Sequence, residues 1–244
     1  MSSEKQRCDA YAWKVTYVRD FRTFLENQPI FQCKLPDPDL VKSNLAYGFH
    51  YLEYLEETFR NLDNLPTTIK TMLAKTHLIT GAGIVEAVLY CLIRKNGLHR
   101  TKDWQLLHSV TSNEQRLPDN TVIRIETLIQ TKLSTPEDDE MTFDSMAKKV
   151  ESKKLLGSSS DLYQQIKELR RLRNRVHIHE SNFGSYKRQT DWHAFNPGEV
   201  EMTQKVIYQI CSAVFSPSND VQRLFGFLTK TAWGKPPRAA GDDF

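Results

Sequence analysis

The stretch "HLITGAGIVEAVLYCLI", His77 to Ile93, decides how the rest of the chain is read. It is strongly apolar, it is shorter than the roughly 20 residues a membrane span needs, and Glu86 sits in its middle. These features predict a buried helix inside a helical domain. A carboxylate within such a helix needs a partner, because an unpaired buried charge is costly. Gly81 and Gly83 lie in the same stretch and predict either a kink or the close approach of a second helix.

Reading outward, this helix is expected from about Thr67 to Lys95, stopped by Asn96-Gly97. Upstream, Trp13, Tyr17, Phe21 and Phe24 recur at helical spacing and predict a helix over Ala10–Asn27. Asp37 can cap a second helix, with Pro38 in its first turn and Leu45, Phe49 and Leu52 on one face, running to about Asn61. Downstream, a short helix is expected over Trp104–Val110 and another over Thr121–Leu133, started by "LPDN". "STPEDDE", Ser134 to Glu140, reads as an acidic surface loop, and Met141–Lys154 as a short helix. Asp161 and Gln164 form a capping-box pair for a helix that runs to about Glu180. Asn196, Pro197 and Glu199 mark the start of a helix reaching Phe215, with a last short one near Val221–Thr229.

Alternating apolar runs bounded by turns are scarce, so the expected fold class is all-α, a helical bundle with an N-terminal helical extension. The expected division is an extension over residues 1–64, a main helical domain over 65–230 and a flexible tail over 231–244.

Composition sets outer limits. The 244 residues are 39% hydrophobic and 26% charged, as in globular proteins, and too apolar for a disordered chain. The net charge of +3 argues for no nucleic-acid partner by itself, so any such case rests on a local patch. Cys8, Cys33, Cys91 and Cys211 lie far apart with no CxxC pair, which predicts neither a disulfide framework nor a zinc site and fits a reducing cytoplasm. The first residues have no apolar core of signal-peptide length. No nucleophile elbow, Gly-rich phosphate loop or metal-ligand cluster is visible, so no metal and no cofactor is expected.

A local patch exists in "ELRRLRNRVHIHES", Glu168 to Ser181. On an ideal helix of about 100° per residue, Leu162, Ile166, Leu169, Leu172 and Val176 share one stripe. Arg173 and His179 fall roughly 60° to either side of Val176, on the apolar half, while Arg171 and Arg175 point outward. An arginine on that half needs an anion or acceptors. Glu86 is one candidate and a bound phosphate another. Lys187 and Arg188 follow in a loop with Tyr186, Trp192 and Phe195, and basic groups interleaved with aromatics suit single-stranded RNA.

This stretch resembles the HEPN superfamily, whose signature is an arginine, four to six residues, then a histidine, often with Asn directly after the arginine. Arg173, Asn174 and His179 match it, with five residues between arginine and histidine. His177 lies only three residues beyond Arg173, although Arg171 to His177 also leaves five between, so both histidines stay candidates. His77–Ile93 with its internal Glu86 is similar to the long apolar helix of these domains, and "MTFDSMAKKVESKKLL" to the helix leading into the motif helix. The resemblance covers roughly residues 65 to 215.

The resemblance implies a metal-independent endoribonuclease, a toxin or antiviral-defence effector that cleaves RNA through its own 2′-hydroxyl. Histidine titrates near neutral pH and suits proton transfer, and arginine can hold two phosphate oxygens as charge builds. In that reading Arg173, Asn174, His179 and His177 are catalytic, Arg170, Arg175, Lys187 and Arg188 bind substrate, and Glu86 supports the site. The implied partners are RNA, a second copy forming a composite groove, and an antitoxin or defence-system protein; no membrane is involved. The rival reading is a catalytically inactive HEPN-like module for dimerisation or for binding nucleotides or partners.

Overall fold

The computed structural model of the protein describes residues 15–61, 65–175 and 195–230. It is mostly helical, with seven α-helices among the described residues, and it also carries a β-hairpin that the sequence reading missed. The chain divides into two compact units: residues 98–142, and everything before and after them.

The helical unit contains α1 (Val18–Glu26), α2 (Pro38–Asn61), α3 (Thr67–Lys95), α4 (Phe143–Ser152), α5 (Ser160–Asn174), α6 (Pro197–Val214) and α7 (Ser218–Phe225). Local signals set most of the ends. Asp37 accepts a hydrogen bond from the Leu40 amide at 2.9 Å at the start of α2. Asn96 caps the end of α3, and Gly97 follows with φ +64°, a conformation that suits glycine. Asn196 caps α6 through its side chain, 3.2 Å from the Glu199 amide, with Pro197 in the first turn.

Two boundaries differ from expectation. Helix α1 begins at Val18 instead of Ala10, because Thr16 is held outside it: its amide donates to Glu53 at 2.8 Å and His50 Nδ1 lies 2.8 Å from its carbonyl. Trp13 and the rest of the expected first turns lie outside the described residues. Helix α5 is capped by Ser159, whose Oγ accepts from the Leu162 amide, instead of by the Asp161–Gln164 pair. It ends at Asn174 with Arg175 at its C-cap; the expected continuation to Glu180 falls outside the described residues.

Helix α3 runs through the middle of this unit. By length and composition it could cross a membrane, but 61% of its most apolar stretch is buried inside the unit, as in a core helix. Gly81 is where α6 comes close: a Cβ there would lie 2.5 Å from Thr203 Cγ2 and 3.0 Å from Ile207 Cδ1. Gly83 faces open space, so close approach explains the first glycine only. At one end of the unit, Phe21 of α1, Phe49 of α2 and Phe225 of α7 pack together with ring centroids 4.6 to 5.8 Å apart. The first two helices therefore share a core with the last. Buried Gln28 ties the same region together, donating to the Ser216 carbonyl at 2.8 Å and accepting from the Ser216 amide at 2.9 Å. Cys91 and Cys211 are buried free thiols, and burial pushes the Cys91 thiol up to about 12.

The second unit departs from the all-α expectation, while the chain remains mostly helical. Strand β1 (Thr101–Thr111) pairs antiparallel with β4 (Glu126–Asp138), and the short strands β2 (Gln115–Arg116) and β3 (Val122–Ile123) continue the ribbon toward its tip. The expected helices over Trp104–Val110 and Thr121–Leu133 are thus strands, and the expected loop Ser134–Glu140 is mostly the end of β4. "LPDN" makes the hairpin turn instead of starting a helix. Asn120 adopts φ +66°, its amide donates to the Leu117 carbonyl, and Asp119 accepts from the Thr121 amide. At the base of the ribbon Lys102 pairs with Glu137 at 3.2 Å, and His99 Nε2 lies 3.5 Å from Asp138 Oδ1. Neither face is covered within this unit, and Trp104, Leu107 and Leu128 are each more than half exposed.

Candidate functional site

Helix α5 carries the described part of the arginine-rich motif. Its leucines, Leu162, Leu169 and Leu172, are buried with Tyr163 and Ile166, which fixes the face it turns inward. The basic residues then meet acids on three sides. Arg173 Nη2 lies 3.2 Å from Glu86 Oε2 of α3. Arg170 Nη1 lies 3.1 Å from Asp144 Oδ1 of α4, and Lys167 Nζ lies 2.8 Å from Glu151 Oε1 of the same helix. Arg171 closes a local pair with Glu168 one turn back.

Arg173 and Glu86 are thus brought together, and the acid inside the apolar helix has its partner. Arg173 is not sealed in the core: its side chain is 44% exposed, while that of Arg171 is 29% exposed. The expected order, with Arg171 outward and Arg173 inward, is reversed. Arg173 sits in the last turn of α5, where its side chain reaches across to α3 and leaves the rest of the guanidinium to solvent. Its five donors exceed what one carboxylate oxygen takes up, so an anion can share it with Glu86. Asn174 follows directly and is exposed, and Arg175 is half-buried at the C-cap. His177, His179, Lys187 and Arg188 lie outside the described residues, as do Tyr186 and Trp192.

Two carboxyls near this helix are electrostatically displaced. Burial pushes Glu199 above the ordinary carboxylate range; the neighbouring charge of Glu168 raises it further, against the pull of Arg171 and Arg175. The hydrogen bond from Lys148, helped by Arg170, holds Asp144 below that range. Glu199 appears in the sequence only as a helix-start signal. Its nearness to the motif helix depends on how α6 packs, which the sequence does not display.

A second polar cluster escaped the sequence reading. Glu56 of α2, His77 of α3 and Gln204 of α6 are all fully buried. His77 Nε2 lies 3.2 Å from Glu56 Oε1, and the Gln204 amide donates to the same oxygen. The cluster joins three helices through the core. The available signal was spacing: Glu56 follows Leu52 by four residues and so continues the buried face of α2.

No known protein family, curated protein or solved structure matches the chain.

Proposed function

We propose that the protein is a metal-independent endoribonuclease of HEPN type, with Arg173 holding the scissile phosphate and a histidine of the following segment moving the proton. The observation that carries this reading is the placement of Arg173: braced by Glu86 from the long apolar helix, yet 44% exposed and able to take a second anion. The reaction needs no metal in this reading: the RNA 2′-hydroxyl gives its proton to a histidine and attacks the phosphorus, the bond to the 5′-oxygen breaks and that oxygen takes up a proton, while arginine stabilises the charge that builds on the phosphate oxygens. Asn174 stands next to Arg173 to orient the phosphate or the histidine. Arg170 and Arg175, with Lys187 and Arg188 beyond them, supply backbone contacts to the RNA. A composite groove between two copies would provide the acid and the base, and an antitoxin or defence partner in the cytoplasm would restrain it.

The brace also motivates a second reading, an inactive HEPN-like binding module, since Glu86 already neutralises part of the arginine. Incubating the purified chain with mixed single-stranded RNA and a chelator separates the two. The nuclease reading expects fragments ending in a cyclic phosphate, and a loss of about a hundredfold or more in rate for Arg173→Ala and for His179→Ala. Equal degradation by wild type and the double variant, or none by either, sinks it.

A further inference from the structure

The charges of the hairpin are paired only in part. Those at its base pair within it: Lys102 with Glu137, His99 with Asp138, and Arg100 with Asp139 at 3.7 Å. Glu126, the first residue of β4, and Lys132, in its middle, do not. Glu126 accepts only a hydrogen bond from Ser109 Oγ at 3.0 Å, and among the described residues neither side chain has an ion-pair partner. They cannot reach each other, because six residues of strand put about 20 Å between them. Both stand on a strand with β1 on one side and, among the described residues, no strand on the other.

The sequence around them reads "IETLIQTKL", Ile125 to Leu133, and it is nearly symmetric about Ile129. Turned end for end and set beside itself, it matches Ile125 with Leu133, Glu126 with Lys132, Thr127 with Thr131 and Leu128 with Gln130. Each charge then meets its opposite, twice over, and each Thr meets a Thr. These are cross-strand pairs that stabilise antiparallel strands. An antiparallel two-fold axis performs this operation. Pro136, which has no amide to donate, lies beyond the matched stretch. Strand β1 offers no such match: its Lys102 and Asp103 lie together at one end, and Lys102 is already engaged.

We propose that the free edge of β4 is a self-association surface, pairing antiparallel with β4 of a second copy of this chain about Ile129 to give a four-stranded sheet ordered β1-β4-β4-β1. The exposure points the same way. Ile125, Leu128 and Ile129 are 47 to 55% exposed, and a lone two-stranded ribbon is marginally stable until further strands or a covering surface join it. The inference does not depend on RNA cleavage, and the interface uses no residue of α5.

The test is charge exchange in the full-length protein, with dimerisation followed by analytical ultracentrifugation over a concentration series. Glu126→Lys and Lys132→Glu each turn two attractive contacts into two repulsive ones, and each should weaken association by about tenfold. The double variant should restore it. Cysteine placement reports the register: Ile129→Cys brings the two new thiols together at the axis and should cross-link under mild oxidation, whereas Ile125→Cys should not. A monomeric wild type, as when the hairpin folds against its own chain, overturns the proposal. So does a dimer indifferent to both single exchanges, or equal cross-linking at both positions.

Discussion

Arg173 shows what one residue's sequence context can and cannot convey. Its angular position beside the leucines of α5 told that it faces a neighbouring helix, and Glu86 was named as an anion it would need. Its exposure is not legible there, because angle gives direction and not depth. The Glu56–His77–Gln204 cluster was opaque for the opposite reason. Each member looks like a surface residue by type, and only the meeting of three helices makes them fully buried. Glu199 is the residue whose titration is testable here. Burial and Glu168 raise its carboxyl, so the fold favours the protonated form. Its contribution to stability is therefore present at low pH and is lost as pH rises from the ordinary glutamate range through the raised value. Glu199→Gln removes that loss. In denaturant midpoints measured from pH 4 to 7, the variant should gain on wild type as pH rises; a difference that stays flat contradicts the assignment.

At the scale of elements, the helices were legible and the strands were not. Asp37, Asn96-Gly97 and Asn196-Pro197 set helix ends through local chemistry that sequence displays directly. The stretch Thr121–Leu133 failed because Val122, Ile125, Leu128 and Ile129 happen to recur at intervals that also fit a helix face. Its many β-branched residues, three Thr and three Ile among them with Val122, pointed to strand and should have prevailed. The two glycines of α3 give a matched pair of variants. Gly81→Ala places a methyl against Thr203 and Ile207, and the β-branched Thr203 is fully buried and cannot swing away. We expect it to cost about 1–3 kcal/mol, a fall of several degrees in Tm. Gly83→Ala meets nothing and should stabilise the helix by about 0.5–1 kcal/mol. Thermal unfolding of the two side by side checks both signs. Equal effects would mean that helix propensity, and not the approach of α6, governs these positions.

The whole molecule is a helical unit interrupted by a hairpin, and the interruption has a mechanical simplicity. The inserted segment leaves and returns at neighbouring points, since the Asp139 amide donates to the Arg100 carbonyl at 2.9 Å and Thr101 pairs with Asp138. A short Gly/Ser linker can therefore replace residues 98–142 without stretching the chain, as insertions at adjacent surface points are commonly tolerated. The helical unit holds its own core, from the Phe21–Phe49–Phe225 cluster at one end to Leu89 and Ile93 of α3, all fully buried. The hairpin buries almost nothing within itself. Removing it should leave cooperative unfolding intact, with a Tm within about 2–4 °C of wild type, the shift that roughly 1 kcal/mol produces in a unit of this size. Circular dichroism should retain the helical signal, and β4-mediated self-association should vanish in the same sample. If unfolding instead becomes broad and the helical signal drops, the hairpin is part of the folding unit of the helices. The proposed nuclease reading provides an independent check on the same variant: since Arg173 and Glu86 both lie in the helical unit, it expects any RNA cleavage to survive the deletion.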